Sequence, residues 1–149
     1  MKTTYIKVAA FCLATLVGTT ASIASDPIAN RQAMMKNVGA SMRVAGGMAQ
    51  GKIPFDALAA ELAMRVMSSS AAGFGALFPD SSKTGGDTEA APKIWEDKAG
   101  FDALTAKFQE AADAAVNAAK AGEGDFKAAF GAVAKNCKAC HQDYRIKKN

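Results

Sequence analysis

The sequence predicts an all-α chain, an antiparallel four-helix bundle whose chemistry resides on its final helix. Three observations carry that expectation. Alanine is abundant, β-branched residues are few, and no stretch alternates apolar and polar residues with a period of two, which favours helices over strands. Four segments repeat apolar residues at intervals of three and four, the spacing that builds one apolar face on a helix. Short links join the first segment to the second and the third to the fourth, with a single long connection between the pairs, as suits antiparallel neighbours around a common core.

The first helix is expected to begin at Asp26-Pro27, a capping residue followed by proline at the first helical position, and to run to about Gln50, where Gly51 stops it. Its apolar stripe is Met35, Val38, Met42, Ala45 and Ala49. Glycine inside a helix costs roughly 1 kcal/mol relative to alanine, so Gly46-Gly47 points to close contact with another helix. Pro54 can open the second helix, with Leu58, Leu62, Val66 and Met67 as its expected inward face. That helix fades through residues 68–70 toward Gly73 and Gly75. Residues 78–98 form the long connection, punctuated by Pro79, Gly85-Gly86 and Pro92, with Trp95 near its end. Phe101, Leu104, Phe108, Ala111 and Ala115 trace a third helix that ends around Gly122 to Gly124. In the last helix Phe126, Phe130, Val133, Cys137, Cys140 and Tyr144 follow one another at intervals of 4, 3, 4, 3 and 4 residues, the seam of a helix packed into a bundle.

Cys137-Lys138-Ala139-Cys140-His141 is a C-x-x-C-H motif, and it lies on that seam. In an exported chain this pattern is the attachment site for a c-type haem. Thiols at positions i and i+3 share a helix face and can each add to one haem vinyl group, while the next histidine supplies the proximal iron ligand. His141 is the only histidine, and Cys12 is the only other cysteine. A zinc site would need about four ligands, and no second Cys/His pair exists. A thioredoxin-like motif would sit near a βαβ pattern, which is missing. A plain disulfide between Cys137 and Cys140 stays open but leaves the adjacent histidine unexplained.

Residues 1–24 read as a secretory signal peptide: Lys2 and Lys7, an apolar stretch over residues 8–17, then Ser22-Ile23-Ala24 as a small-x-small cleavage site. The apolar run is about half the ~20 residues a membrane span requires. Cys12 sits behind bulky Phe11 and leaves with the leader. Removing 24 of 149 residues leaves a single domain over 25–149. With Lys2 and Lys7 gone, 16 basic residues face 14 acidic ones, a net charge of +2 that argues against nucleic acid or an anionic membrane as main partner. Lys135/Lys138 and Arg145/Lys147/Lys148 gather on the C-terminal segment, either as a solvated face complementing the helix dipole or as a docking patch.

A C-x-x-C-H motif on the last helix of a four-helix bundle resembles the class II c-type cytochromes, the cytochrome c prime family. The resemblance covers the whole mature chain. It is carried by Arg31-Gln32-x-x-Met35, by Pro92-Lys93-Ile94-Trp95 and by Cys137-Lys138-Ala139-Cys140-His141-x-x-Tyr144-Arg145. It implies one covalently bound haem c with its iron held by His141, Arg31 near a haem propionate, Arg145 beside the proximal imidazole, and Trp95 packed near the haem-bearing core. Residues 31–36, the Phe78-Pro79-Asp80 turn and the tail from Tyr144 look more like the low-spin members, in which a methionine binds the iron. Met35 occupies that position.

The resemblance implies a one-electron carrier with His/Met ligation; the leader directs it to the periplasm, where its partners would be periplasmic redox proteins. With no second acid–base pair or nucleophile beside the haem, it is not expected to be an enzyme. The alternative is a five-coordinate protein that binds nitric oxide or carbon monoxide, with Met35 as core filler like Met34 and Met42. No stable membrane insertion is expected. A homodimer through helices one and two is also implied, which Ala45, Gly46, Gly47 and Ala49 would permit.

Overall fold

The computed structural model describes residues 26–146, so the expected leader at 1–24, Lys147 and Lys148 lie outside the described residues. Helix α1, Pro27–Ala49, starts where capping chemistry places it: the Asp26 carboxylate accepts from the Ile28 amide at 2.9 Å, and Pro27 leads the helix. It ends beyond Gln50 as Gly51 turns with φ of 69°. Helix α2, Ala57–Ala71, begins three residues after Pro54, because Asp56 caps it by accepting from the Ala59 amide at 2.8 Å. Two 3₁₀ turns follow, Phe74–Leu77 and Asp80–Ser82, and then a single-turn helix α3, Lys93–Glu96. Helix α4, Lys98–Ala121, is capped by Asp97, whose carboxylate accepts from the Gly100 amide at 3.0 Å. Gly122, at φ of 141°, turns the chain into α5, Glu123–Tyr144.

The four long helices form the expected bundle. α2 packs against α1 and α4, and α4 against α5, whereas α1 and α5 touch only lightly. The main core joins Val38, Ala45 and Met48 of α1, Met64 and Met67 of α2, and Phe126, Phe130 and Val133 of α5. The glycine pair of α1 is spent inside this fold. A Cβ on Gly46 would meet the Phe130 ring at 3.6 Å, and one on Gly47 would meet Ile53 at 3.2 Å.

The inward face of α2 differs from the expected one. Leu58, Leu62 and Val66 are exposed, and Ala60, Ala63, Met64, Met67 and Ala71 point into the core, with only Met67 of the expected set among them. The reason is steric. α2 and α4 pack closely, and their buried alanines, Ala60 and Ala63 of one and Ala112, Ala115 and Ala119 of the other, share one core, where branched leucines would need the helices further apart.

A second cluster, Phe74, Phe78, Ile94, Phe101 and Tyr144, closes the end of the bundle where α5 stops. Its rings meet edge to face, Phe78 to Phe101 at 4.8 Å and Phe101 to Tyr144 at 5.3 Å, each such pair adding about 1 kcal/mol beyond the buried area. The Tyr144 hydroxyl donates to the Asp97 carboxylate at 2.8 Å. That bond and the Gly100 amide hold the Asp97 pKa below its ordinary value, and Asp97 in turn pushes the Tyr144 phenol up to about 12. Asp97 therefore contributes stability above about pH 4 that is lost as pH falls through its depressed pKa. Tyr144 contributes stability below about pH 10 that is lost as pH rises through its raised one. Urea unfolding of Tyr144→Phe is expected to show a weaker loss of stability than wild type at both extremes; an unchanged pH profile would remove the pair from the account.

Candidate haem site

Where α1 and α5 part, a cavity of about 780 Å³ opens between them. The seam of α5 places Cys137 and Cys140, both half-buried, on its wall, with His141 beside them at the solvent side. α1 contributes Met35, Val38, Gly39 and Met42, α4 contributes Leu104 and Phe108, and Phe74, Phe78 and Phe101 close the end. The enclosure is therefore mostly apolar and aromatic, with two sulfurs and an imidazole on one wall and a thioether on another.

The chemistry of the donors follows from this setting. Both cysteines are free thiols. Burial raises the pKa of Cys137; burial, with Cys137 and Asp143 adding to it, raises Cys140 to about 11. His141 shows its ring to solvent, yet enough protein surrounds it that desolvation, and then the Arg145 charge, lower its pKa, with Glu89 opposing. A lowered pKa keeps the imidazole neutral, the form that binds a metal. Among the described residues no cluster of three or more His, Cys, Asp or Glu side chains is placed to hold an ion unaided.

All six residues singled out from the sequence, Arg31, Met35, Cys137, Cys140, His141 and Arg145, line this one cavity. Met34 does not line it and packs instead against the aromatic cluster. Arg145 lies one residue past α5 in extended conformation, where Arg145 and Ala90 form an antiparallel bridge. The Ala91 amide donates to the Tyr144 carbonyl at 3.0 Å, the Ile146 amide donates to the Glu89 carbonyl at 2.9 Å, and the Arg145 side chain pairs with the Glu89 carboxylate. The connection is thereby stitched to the end of α5. Trp95 donates from its indole to the Phe78 carbonyl at 3.0 Å and packs edge-on against the Phe78 ring, at the margin of the site.

Arg31 does more than its sequence context announces. It is only 4 % exposed. One guanidinium nitrogen donates to the Leu77 carbonyl at 3.1 Å and the Ser82 hydroxyl at 2.9 Å; the other donates to the Ser82 carbonyl at 3.1 Å and the Thr88 hydroxyl at 2.8 Å. Its carbon sits 4.7 Å from the centre of the Phe78 ring. Gln32 adds a bond to the Asp87 carbonyl. These contacts fold the connection over the cavity as a wall. Arg31→Leu strands several buried acceptors and is expected to cost about 3 kcal/mol in a denaturant titration. Arg31→Lys, which cannot fork, should recover less than half of that.

The described part of the chain matches the family model described as Cytochrome C' over residues 26–145. The chain belongs to the cytochrome c' family. The cytochrome c' of Rhodopseudomonas palustris is 44% identical over 125 residues, covering 84% of this chain and 85% of that protein. The cytochrome c-556 of Agrobacterium tumefaciens (strain II Chrys) is 36% identical over 121 residues, covering 81% and 98%. The solved structure of the Rhodopseudomonas palustris cytochrome c' superposes with a TM-score of 0.79, covering 84% of this chain and 99% of that one. The cofactor of this class II c-type cytochrome is one covalently bound haem c with its iron. The residues present fit it: two thiols one turn apart, an imidazole beside them, and a largely apolar cavity of about 780 Å³. No helix among the described residues is long and apolar enough to cross a membrane.

Proposed function

We propose that this cytochrome c' family protein is a periplasmic one-electron carrier, not an enzyme, with Cys137 and Cys140 as thioether positions and His141 and Met35 as the two iron ligands. The thiol sulfurs of the structure stand for the thioether sulfurs of the holoprotein. The observation that supports the reading most is that Met35 and His141 line the same cavity from different helices. When bound, the haem supplies an Fe(III)/Fe(II) couple. The chain holds a soft thioether and a neutral imidazole on rigid helices, a pairing that favours Fe(II) and raises the potential. Arg31 and Arg145 add positive charge on the cavity wall: Arg31, its terminal nitrogens already bonded to the connection, would act on a haem propionate through its charge, and Arg145, paired with Glu89, would lie beside the imidazole. Export through the 1–24 leader places the protein where its redox partners would be periplasmic proteins.

The competing reading is a five-coordinate protein that captures nitric oxide or carbon monoxide. The relative at 44% identity is named cytochrome c', which matches this alternative. The absorption spectrum of the reduced protein decides. Sharp low-spin bands unaltered by carbon monoxide are expected; a broad high-spin spectrum that responds to the gas would install the alternative.

We further propose a homodimer through α1 and α2, on grounds other than the glycine pair. Leu58 and Leu62 are 64% and 53% exposed, and Val66 extends their row, with Val44 of α1 and Ile53 also exposed. An apolar row of this kind on a soluble chain marks a contact surface. Sedimentation at micromolar concentration is expected to give a dimer that Leu62→Glu converts to monomer. A wild-type monomer would dispose of the proposal.

A further inference from the structure

We infer that Gly39 is where the backbone of α1 lies against the haem, and that it sets how closely Met35 approaches the iron; the second part rests on the ligation proposed above. Gly39 lies in the interior of α1, one helical turn after Met35, and both line the cavity. Glycine is a poor helix residue, so its presence there calls for a cause. Two ordinary causes are missing. Its φ is not positive, so no left-handed conformation demands it. Nor does protein packing demand it. A Cβ at Gly39 would meet nothing within 4 Å, in contrast to Gly46 and Gly47, which face Phe130 and Ile53.

What Gly39 faces is the cavity. A side chain there would project into space that a macrocycle attached to Cys137 and Cys140 must share with α1. Its neighbours along the same wall, Met35 and Met42, carry long flexible side chains that can lie along a flat surface. A branched group at 39 has no such freedom and would hold the helix away, drawing the Met35 sulfur off the metal.

Gly131 supplies the control, because it lies inside α5, is exposed, and has nothing within 4 Å of its Cβ, but does not line the cavity. The experiment compares holoprotein carrying Gly39→Ala, Gly39→Leu or Gly131→Ala. Thermal unfolding, Soret circular dichroism and carbon monoxide binding by the reduced protein are the readouts. Gly131→Ala is expected to raise Tm and keep the wild-type Soret dichroism. Gly39→Ala should lower Tm. Gly39→Leu should alter the Soret dichroism and, by freeing Met35 from most molecules, raise carbon monoxide affinity roughly tenfold or more. The contact is overturned if Gly39→Ala gains stability as Gly131→Ala does, or if Gly39→Leu keeps the wild-type Soret dichroism. A wild type that is high-spin from the outset sinks the ligation by Met35 and leaves the dichroism and Tm comparison to judge the contact alone.

Discussion

Holoprotein in which Cys137 and Cys140 are both serine is expected to release all of its haem to acid–acetone, where wild type releases none. The hydroxyl of serine is far less nucleophilic than a thiol and does not form the thioether, while its size leaves the α5 seam intact. Each single variant keeps one attachment point and should retain haem with an altered band shape. His141→Ala should separate attachment from ligation: the haem stays tethered through Cys137 and Cys140, but the proximal bond is lost. The double variant also tests the architecture. α1 and α5 share the main core but both also line the cavity, so a bound cofactor would add contacts that join them there. Its loss is expected to lower Tm on the order of 10 °C. Haem retained by the double variant after extraction would remove the thioether assignment altogether.

How much of this could be read from the chain depended on how local the determining interactions are. The start of α1 was legible because Asp26 and Pro27 act within two residues of each other. The seam of α5 was legible because Phe126, Phe130, Val133 and Tyr144 repeat at helical spacing and are all buried. The same seam sets Cys137 and Cys140 on the inward side of α5, where both line the cavity. α2 was misread for a different reason. It is apolar on two opposite faces, and hydrophobicity alone selects the branched one. The choice is made by the rest of the bundle, which takes the face of alanines and unbranched methionines, Ala60, Ala63, Met64, Met67 and Ala71, and nothing within α2 encodes that partner.

The Arg31 clamp was illegible for a third reason. Its acceptors lie 46 to 57 residues away in a segment without periodicity, and they are the backbone carbonyls of Leu77 and Ser82 and the hydroxyls of Ser82 and Thr88. Resemblance placed Arg31 near the cofactor, and the structure adds that it also holds the cavity wall in place. The stitch of Ala90 to Arg145 is of the same kind, a single bridge between remote residues that no local pattern announces.

Met35→Ala is expected to convert low-spin iron to high-spin, open the distal side to carbon monoxide, and lower the reduction potential by on the order of 100 mV as Fe(II) loses its soft ligand. It differs from His141→Ala in the ligand removed: here the imidazole stays and the methionine sulfur goes, while the links to Cys137 and Cys140 remain in both variants. Met34→Ala is the internal comparison. Met34 is turned about 100° around α1 from Met35 and packs against the aromatic cluster instead of lining the cavity. Its truncation should cost about 2 kcal/mol of stability while leaving the spectrum unchanged. Met42 is the second comparison, since it too lines the cavity, two helical turns further along. A high-spin spectrum in Met42→Ala with a low-spin one in Met35→Ala would move the thioether to Met42. If neither substitution disturbs a low-spin wild type, the sixth ligand is not a methionine of α1. The decisive pattern is high-spin iron in Met35→Ala alone, because only an iron–sulfur bond from that residue makes its loss, and not that of its neighbours, change the spin state.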